Sequence, residues 1–262
     1  MPEIVEIRRE AGVAHLTLNR PELRNAMSLE MVEALLNALS EAEAAGDRAV
    51  VLRGAGGHFC SGGDIKDMGA AQAQPAGATD AVAGVNARFG ALCAAYAETG
   101  LPVVCVVEGA VMGGGFGLAC VADVVIADEG AVFRLPETGL GLVPAQIAPF
   151  LVERLGYSEA RRLAVTGGKL DAAAARRVGL VHEVAGGGDA LSAALAATLE
   201  QIKKGAPGAI AATKKLVRRA RLEDPASLVA DAAAVFASAA RGPEGAEGMA
   251  AFLEKRKPNW AV

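Results

Sequence analysis

The chain has 262 residues and a formal net charge of −4; hydrophobic residues make up 52% and aromatic residues only 4%. This length fits one large domain with an appendage, and the composition is that of a globular protein whose core is built from Ala, Val and Leu rather than from aromatic rings. The mildly acidic balance, without a dense run of Lys or Arg, argues against nucleic acid as a partner.

Membrane, secretory and metal-binding classes are also disfavoured. The longest uncharged apolar tract, residues 109–122, is shorter than the ~20 residues of a membrane span, and the N-terminus lacks the basic start and apolar stretch of a signal peptide. Cys60, Cys93, Cys105 and Cys120 have neither zinc-ligand nor disulfide-framework spacing. We therefore expect a cytoplasmic protein without a membrane span or metal site.

The first half of the chain indicates a sheet with helices. Residues 3–9 and 13–18 alternate at period two, which predicts an antiparallel hairpin at a sheet edge, and Ser28 caps a predicted amphipathic helix that ends near Gly46. Residues 69–84 predict a mobile connection before a helix around 88–97. Continuous apolar runs predict buried parallel strands at 49–52, 103–107, 124–126 and 178–184.

Helical segments between these strands predict right-handed βαβ crossovers and an α/β fold. After residue 191 strand signals vanish, and breaks at 205–207, 224–225 and 242–243 separate helices. We therefore predict a core domain at 1–190 and a helical region at 191–262 that packs on the core or on a neighbouring subunit.

Two glycine-rich turns directly follow predicted strands. Residues 54–65 follow one strand, and residues 109–118, with Gly113 and Gly114, follow the next. Ligands bind α/β sheets outside the carboxyl ends of strands, and unpaired N–H groups at a helix start stabilise a developing oxyanion. The turns thus suggest an oxyanion hole, or simply glycines that let a helix pack closely on the sheet.

Nucleotide-binding and hydrolase patterns are not met. Neither turn fits G-x-G-x-x-G, and no P-loop pattern occurs. The segment Phe59–Gly63 has Phe where a nucleophile elbow needs its first Gly. The three histidines are scattered, and His15 and His182 lie in predicted strands, so a covalent hydrolase and a metal site are both disfavoured.

Glu137 is the candidate acid–base group. It follows Pro136 in an apolar stretch, where burial would raise its pKa so that it can both accept and donate a proton near neutral pH. The alternative is a solvated loop acid or a helix-cap partner.

Segments spread along nearly the whole chain, taken together, resemble the crotonase superfamily, the enoyl-CoA hydratases and isomerases. The resemblance implies a spiral of ββα units, with the helical C-terminal region forming trimers or dimers of trimers. It implies an acyl-CoA substrate and no cofactor beyond the coenzyme A of that substrate. The matching segments are Leu18–Pro21, Arg24–Met27, Phe59–Ile65, Gly109–Leu118, Leu135–Glu137, Thr166-Gly167, Gly179–Val181 and Phe252–Arg256.

The resemblance also assigns roles by position. The backbone N–H groups of Cys60 and Gly114 would hold the thioester oxygen, and Glu137 would move protons. The remaining positions would bind substrate and coenzyme A: Arg24, Ala26, Gly62, Asp64, Ile65, Gly113, Phe252 and Lys255.

One departure from the family pattern concerns the number of acids. Hydratases with two catalytic glutamates carry the first where this chain has Gly117, and dienoyl isomerases carry an extra acid at the position of Ala145. Gln146 is the nearest polar candidate for positioning water or substrate. The segments 109–120 and 135–150 resemble hydratases of branched glutaconyl thioesters, which also lack the first glutamate. We expect a hydratase; a 3,2-enoyl-CoA isomerase, a thioesterase and a silent acyl-CoA-binding protein are the alternatives.

Overall fold

The computed structural model describes residues 3–73 and 80–261. Its strands are β1 (Val5–Glu10), β2 (Val13–Leu18), β3 (Ala49–Gly54), β4 (Val103–Val107), β5 (Ala110–Met112), β6 (Val124–Asp128), β7 (Val132–Arg134), β8 (Lys169–Asp171) and β9 (Glu183–Ala185). Its helices are α1 (Leu29–Ala45), α2 (Ile65–Gln72), α3 (Ala81–Glu98), α4 (Gly114–Val121), α5 (Ala148–Thr166), α6 (Ala172–Arg177), α7 (Gly188–Lys204), α8 (Pro207–Ala220), α9 (Pro225–Arg241) and α10 (Pro243–Leu253). The predicted α/β class is confirmed.

The larger sheet has the strand order β1-β2-β3-β4-β6-β9. The predicted hairpin β1-β2 is antiparallel and lies at its edge, and the other neighbours pair in parallel. Every residue of β4 is buried, as expected for a strand covered on both faces. The parallel arrangement brings the carboxyl ends of β3 and β4 to the same edge of the sheet.

A smaller sheet, in the order β5-β7-β8, was not predicted from the sequence. β5 pairs in parallel with β7, and β7 pairs antiparallel with β8. Each of these strands has three residues, too few for a period-two pattern to be recognised.

Two other predictions need correction. The strand predicted over 178–184 is confined to β9, because the N–H groups of Leu180 and Val181 both donate to the Ala175 carbonyl and hold a tight turn after α6. The connection predicted over 69–84 is helical up to Gln72 and again from Ala81, and its residues 74–79 lie outside the described residues.

The chain forms two compact units, Met1–Ala97 with Val103–Leu195, and Glu98–Pro102 with Ala196–Val262. The first contains both sheets; the second contains α8, α9 and α10 and exposes several large apolar side chains. These are Val217, Leu222, Val229, Phe236, Met249, Phe252 and Leu253. None of the helices in the described part of the chain is long and apolar enough to cross a bilayer.

Candidate active site

The two glycine-rich turns lie against each other beyond the carboxyl ends of β3 and β4. The Cys60 N–H donates to the Ala110 carbonyl at 3.0 Å, and the Met112 N–H donates to the Cys60 carbonyl at 2.9 Å. His58 adds a third link, because its Nδ1 accepts the Ala110 N–H at 3.1 Å. The turns predicted from the sequence are therefore adjacent in the structure.

These bonds overturn one predicted role. Because the Cys60 N–H is already bonded to Ala110, it is not available to a ligand oxygen, and the prediction that it forms half of an oxyanion hole is wrong. The sequence placed Cys60 in the correct turn but did not reveal its pairing with β5.

Gly63 supplies the N–H that this turn offers instead. Met27 and Gly63 form a parallel bridge, in which Met27 bonds to the two residues that flank Gly63. The Met27 N–H donates to the Gly62 carbonyl at 2.8 Å, and the Asp64 N–H donates to the Met27 carbonyl at 2.9 Å. In a parallel bridge the central residue's own N–H points away from its partner. Within the described ranges we find no hydrogen bond from the Gly63 N–H.

The second turn enters α4 through Gly113. Its backbone has φ 49° and ψ −113°, a conformation that is strained for any residue with a side chain. The Gly113 N–H donates to the Arg134 carbonyl at 3.1 Å, and the first bond of α4 runs from Gly117 N–H to Gly113 carbonyl at 3.0 Å. The N–H of Gly114, in the first turn of α4, therefore has no partner within the helix and lies at the positive end of its dipole.

Glycine at position 115 brings α4 close to the Cys60 turn. A Cβ at Gly115 would lie 2.7 Å from the Cys60 Cβ, and one at Gly62 would lie 3.9 Å from the Gly113 Cα. A side chain at Gly115 would force the turns apart, whereas at Gly62 the backbone φ of 106°, and not the space, favours glycine. Gly62 and Gly113, predicted to contact substrate, therefore line the junction between the two turns.

Glu137 faces this junction. It lies on a short helical turn, Glu137–Leu140, and its Oε1 is 3.1 Å from the position of a Cβ built on Gly113. Its Oε2 is buried and has no hydrogen-bond partner among the described residues. Burial raises the pKa of this carboxyl above its ordinary value of 4.5, because removing water penalises the charged form.

Neighbouring segments hold Glu137 in place. The Leu142 N–H donates to the Glu137 carbonyl at 2.9 Å. On either side, the Thr138 hydroxyl donates to the Ala164 carbonyl at 3.2 Å, and Arg134 Nε donates to the Gly167 carbonyl at 3.1 Å. The acid is thus fixed by backbone contacts that leave its Oε2 unbonded and able to exchange a proton with a substrate.

The segment with Arg24 and Ala26 is fixed by a buried asparagine. Asn25 Nδ2 donates to the carbonyls of Ala55 and His58 at 2.9 and 2.7 Å, and its Oδ1 accepts the Arg20 N–H at 2.8 Å. Arg24 and Asn25 both have positive φ, and the Arg24 side chain is exposed. The sequence analysis matched this motif but did not identify the role of Asn25, although an Asn is among the residues that tolerate this backbone conformation.

Asp64 is held firmly at the start of α2. Its carboxylate accepts the Lys66 N–H at 2.8 Å and pairs with Arg20 at 2.8 Å. Burial opposes its ionisation, but the hydrogen bonds from Arg20 and Lys66 prevail and lower its pKa. Ile65, next in the chain, is 71% exposed. Asp64 therefore shapes the turn, and its predicted contact with coenzyme A stays a prediction.

Gln146 packs on α3. Its Nε2 donates to Asn86 Oδ1 at 2.9 Å, and a Cβ built on Gly90 would lie 2.1 Å from its Oε1. The carboxamide therefore fastens the loop before α5 to α3. Its predicted role in positioning water or substrate stays a prediction.

Phe252 and Lys255, the C-terminal residues predicted to bind coenzyme A, belong to the second unit. Phe252 is 83% exposed, and Lys255, just beyond α10, is also exposed. Their role stays a prediction.

The side chains that a hydrolase would use are engaged elsewhere. Burial raises the pKa of the Cys60 thiol to about 11, and the Ser61 hydroxyl donates to the Leu23 carbonyl at 3.1 Å. His58 and His182 each accept a backbone N–H through Nδ1. An activated nucleophile needs a base beside it, and the geometry favours proton transfer by Glu137 instead. No group of three His, Cys, Asp or Glu suited to a metal ion occurs within residues 3–73 and 80–261.

The chain is similar to known proteins along nearly its whole length. The family model for enoyl-CoA hydratase/isomerase matches residues 8–262. The probable enoyl-CoA hydratase echA8 of Mycobacterium bovis is 34% identical over 98% of both chains, and a putative enoyl-CoA hydratase of Thermus thermophilus is 35% identical over 95% of this chain and 97% of its own.

Solved structures agree along the full length. An enoyl-CoA hydratase/isomerase from Marinobacter aquaeolei superposes with a TM-score of 0.96 at 50% identity, covering 99% of each chain. Pseudomonas aeruginosa AtuE superposes with a TM-score of 0.95 at 50% identity, covering 99% of this chain and 100% of its own. Because the matched residues include both glycine turns and Glu137, the chain belongs to the enoyl-CoA hydratase/isomerase family, as an enzyme with the crotonase fold that the sequence predicted.

Proposed function

We propose that this protein adds water to the double bond of a 2-enoyl thioester of coenzyme A. The observation that carries the proposal is the position of the Glu137 carboxylate against Gly113, which precedes the free N–H of Gly114 and also lies against Gly62 of the other turn. One carboxylate and two N–H groups are the parts that an enolate-forming reaction needs.

The reaction would proceed with Glu137 as the sole acid–base group. The N–H groups of Gly63 and Gly114 bind the thioester oxygen. Water adds to C3 while the Glu137 carboxylate accepts its proton, and the electron pair of the C2–C3 double bond moves onto that oxygen. The protonated Glu137 then donates the same proton to C2, so that one water is consumed and the carboxylate is regenerated.

A 3,2-enoyl-CoA isomerase is the second candidate, and one observation favours it. The side of α4 at Gly117, where two-acid hydratases carry a glutamate, is filled by Ile147. A single carboxylate can remove a proton from C2 and return it to C4 without water. We rank hydration above isomerisation because the similar proteins described above are named as hydratases.

One experiment separates these reactions. The protein is incubated with unsaturated acyl-CoAs, including 3-branched glutaconyl thioesters, in water labelled with heavy oxygen. Label at C3 of the product supports hydration, whereas a shifted double bond without label shows isomerisation. Release of free coenzyme A would show a thioesterase, and no product from any substrate would leave only acyl-CoA binding. Glu137→Gln is the control for background reaction.

We also propose a homotrimer or a dimer of trimers located in the cytoplasm. Its support is the set of large apolar side chains exposed on the second unit, among them Phe236 and Leu222, since exposed apolar groups of this kind mark association surfaces. Light scattering during gel filtration would give the mass, and a monomer at micromolar concentration would refute the assembly.

A further inference from the structure

The space beside Gly117 is filled by an apolar side chain. A Cβ built on Gly117 would lie 2.3 Å from Ile147 Cγ2 and 3.6 Å from Phe89 Cζ. Ile147 is only 2% exposed, so it cannot swing into solvent to make room. This side of α4 therefore offers neither a carboxylate nor a polar group to the substrate.

Phe89 extends the same surface to the oxyanion donor. A Cβ built on Gly114 would lie 3.1 Å from Phe89 Cζ and 3.3 Å from its Cε2. The tip of the ring thus spans the first turn of α4, from Gly114 to Gly117. Phe89 itself is half-buried, so part of the ring remains accessible, and Ile147 lies beside Gly117 on the same side of α4.

Contacts between the neighbours of Phe89 and Ile147 fix the position of this surface. Gln146, adjacent to Ile147, packs on Gly90, adjacent to Phe89, and donates to Asn86 at 2.9 Å. The two apolar residues are thus linked through the loop before α5 and through α3. A fixed surface discriminates by shape more strongly than a mobile one, because it cannot repack around a larger group.

We propose that Phe89, which shares this side of α4 with Ile147, is a specificity-determining residue that selects acyl thioesters by the bulk of the substituent at C3. This inference rests on the proposed function, which places the thioester oxygen at the Gly114 N–H. C2 and C3 lie two and three bonds from that oxygen. Gly117 lies about 4.5 Å further along the α4 axis, so the ring tip that spans both glycines is within contact distance of C3 and its substituents.

The test measures binding as well as turnover. Isothermal titration with butyryl-CoA and 3-methylbutyryl-CoA gives the ratio of their dissociation constants without any reaction. Removing the ring with Phe89→Ala should shift this ratio about tenfold or more toward the branched thioester, since one methyl group in an apolar pocket is worth roughly 10–200-fold. Phe89→Leu should shift it less, and Tyr157→Ala, which removes an exposed ring from α5, should leave it unchanged.

Thermal melting monitors the fold of each variant. If Phe89→Ala weakens both thioesters equally, or changes neither, Phe89 has no role in selection and the proposal is overturned. If the wild type binds both thioesters and the ratio shifts, but no enoyl thioester is hydrated or isomerised, the proposed reaction fails and the specificity role stands. If the wild type binds neither thioester, both proposals are overturned.

Discussion

The Oε1 atom of Glu137 lies 3.1 Å from the point where any side chain at Gly113 would begin. The position of the carboxylate therefore depends on the absence of a side chain at Gly113. The same glycine directly precedes Gly114, whose N–H is free. The positions of the Glu137 carboxylate and of the Gly114 N–H both depend on this turn, so a change in the turn affects both.

Replacing the acid tests its role directly. We expect Glu137→Gln to lower kcat by about 10²–10⁴-fold, the usual contribution of a positioned acid or base, while acyl-CoA binding is kept. Steady-state kinetics and titration with a saturated acyl-CoA would measure the two effects. Glu129→Gln, an exposed acid, is the control. Near wild-type turnover by Glu137→Gln would remove Glu137 from the mechanism.

The raised pKa of Glu137 predicts a pH dependence of stability. A carboxyl whose pKa is higher in the folded than in the unfolded state favours folding at low pH, and this benefit is lost as the pH rises through the folded-state value. Glu137→Gln should therefore unfold at higher denaturant concentration than wild type at pH 8, and the gain should vanish near pH 4. A variant that is equally stable at pH 8 would contradict the burial of this carboxylate.

A side chain at Gly113 should disturb the site. Gly113→Ala places a methyl group beside Glu137 in a backbone conformation at φ 49° that costs about 1–3 kcal/mol for residues other than glycine. We expect kcat to fall at least about tenfold. Gly84→Ala is the matched control, since nothing lies within 4 Å of its Cβ in α3, and it should stabilise the protein by about 0.5–1 kcal/mol. Full activity in Gly113→Ala would show that the turn tolerates displacement.

Cys60 should be dispensable for chemistry. Its thiol is buried and its backbone N–H pairs with Ala110, so Cys60→Ala should keep kcat/KM within about threefold and lose about 1 kcal/mol of stability from the small cavity. Thiol-blocking reagents applied to the native protein should leave activity intact. A loss of more than a hundredfold in Cys60→Ala, with the fold retained, would revive a covalent mechanism.

Asp64 should act mainly through structure. Asp64→Asn keeps a cap for α2 but removes the charge opposite Arg20, so the free energy of unfolding should drop by about 1.5–3 kcal/mol at pH 7. Because the pKa of Asp64 is lowered from 3.8, this difference should shrink as the pH falls below about 4. Asp171→Asn, another N-cap, should change stability by less than about 0.5 kcal/mol. Denaturant titration would compare the three proteins.

Most strands of the larger sheet, and the two glycine turns that follow β3 and β4, could be predicted from the sequence. Continuous apolar runs such as Val103–Val107 indicate buried strands by their composition alone, and the glycine turns that follow them indicate a ligand site. Glu137 was recognisable as an acid in apolar surroundings, and the raised pKa expected for it agrees with its burial.

The predictions that failed, and the residues that were missed, depend on contacts between segments that are distant in the sequence. Whether an N–H is free is decided by its partner, and the partner of Cys60 is Ala110, fifty residues later. The only sequence signal for Gly63 is its place before Asp64 in the same turn. The approach of Phe89 and Ile147 to the same side of α4 could not be predicted either, since nothing in their local sequence indicates it.

The contact between Ile147 and Gly117 also limits how this chain can change over evolutionary time. An acid introduced at Gly117 while Ile147 is present meets a methyl group at 2.3 Å, well inside the ~3.5 Å at which carbon atoms attract. A lineage that acquires a glutamate at position 117 must therefore first shrink the residue at 147, a change that gives no acid by itself. The order of substitutions is fixed by this overlap, and no single mutation converts one kind of active site into the other.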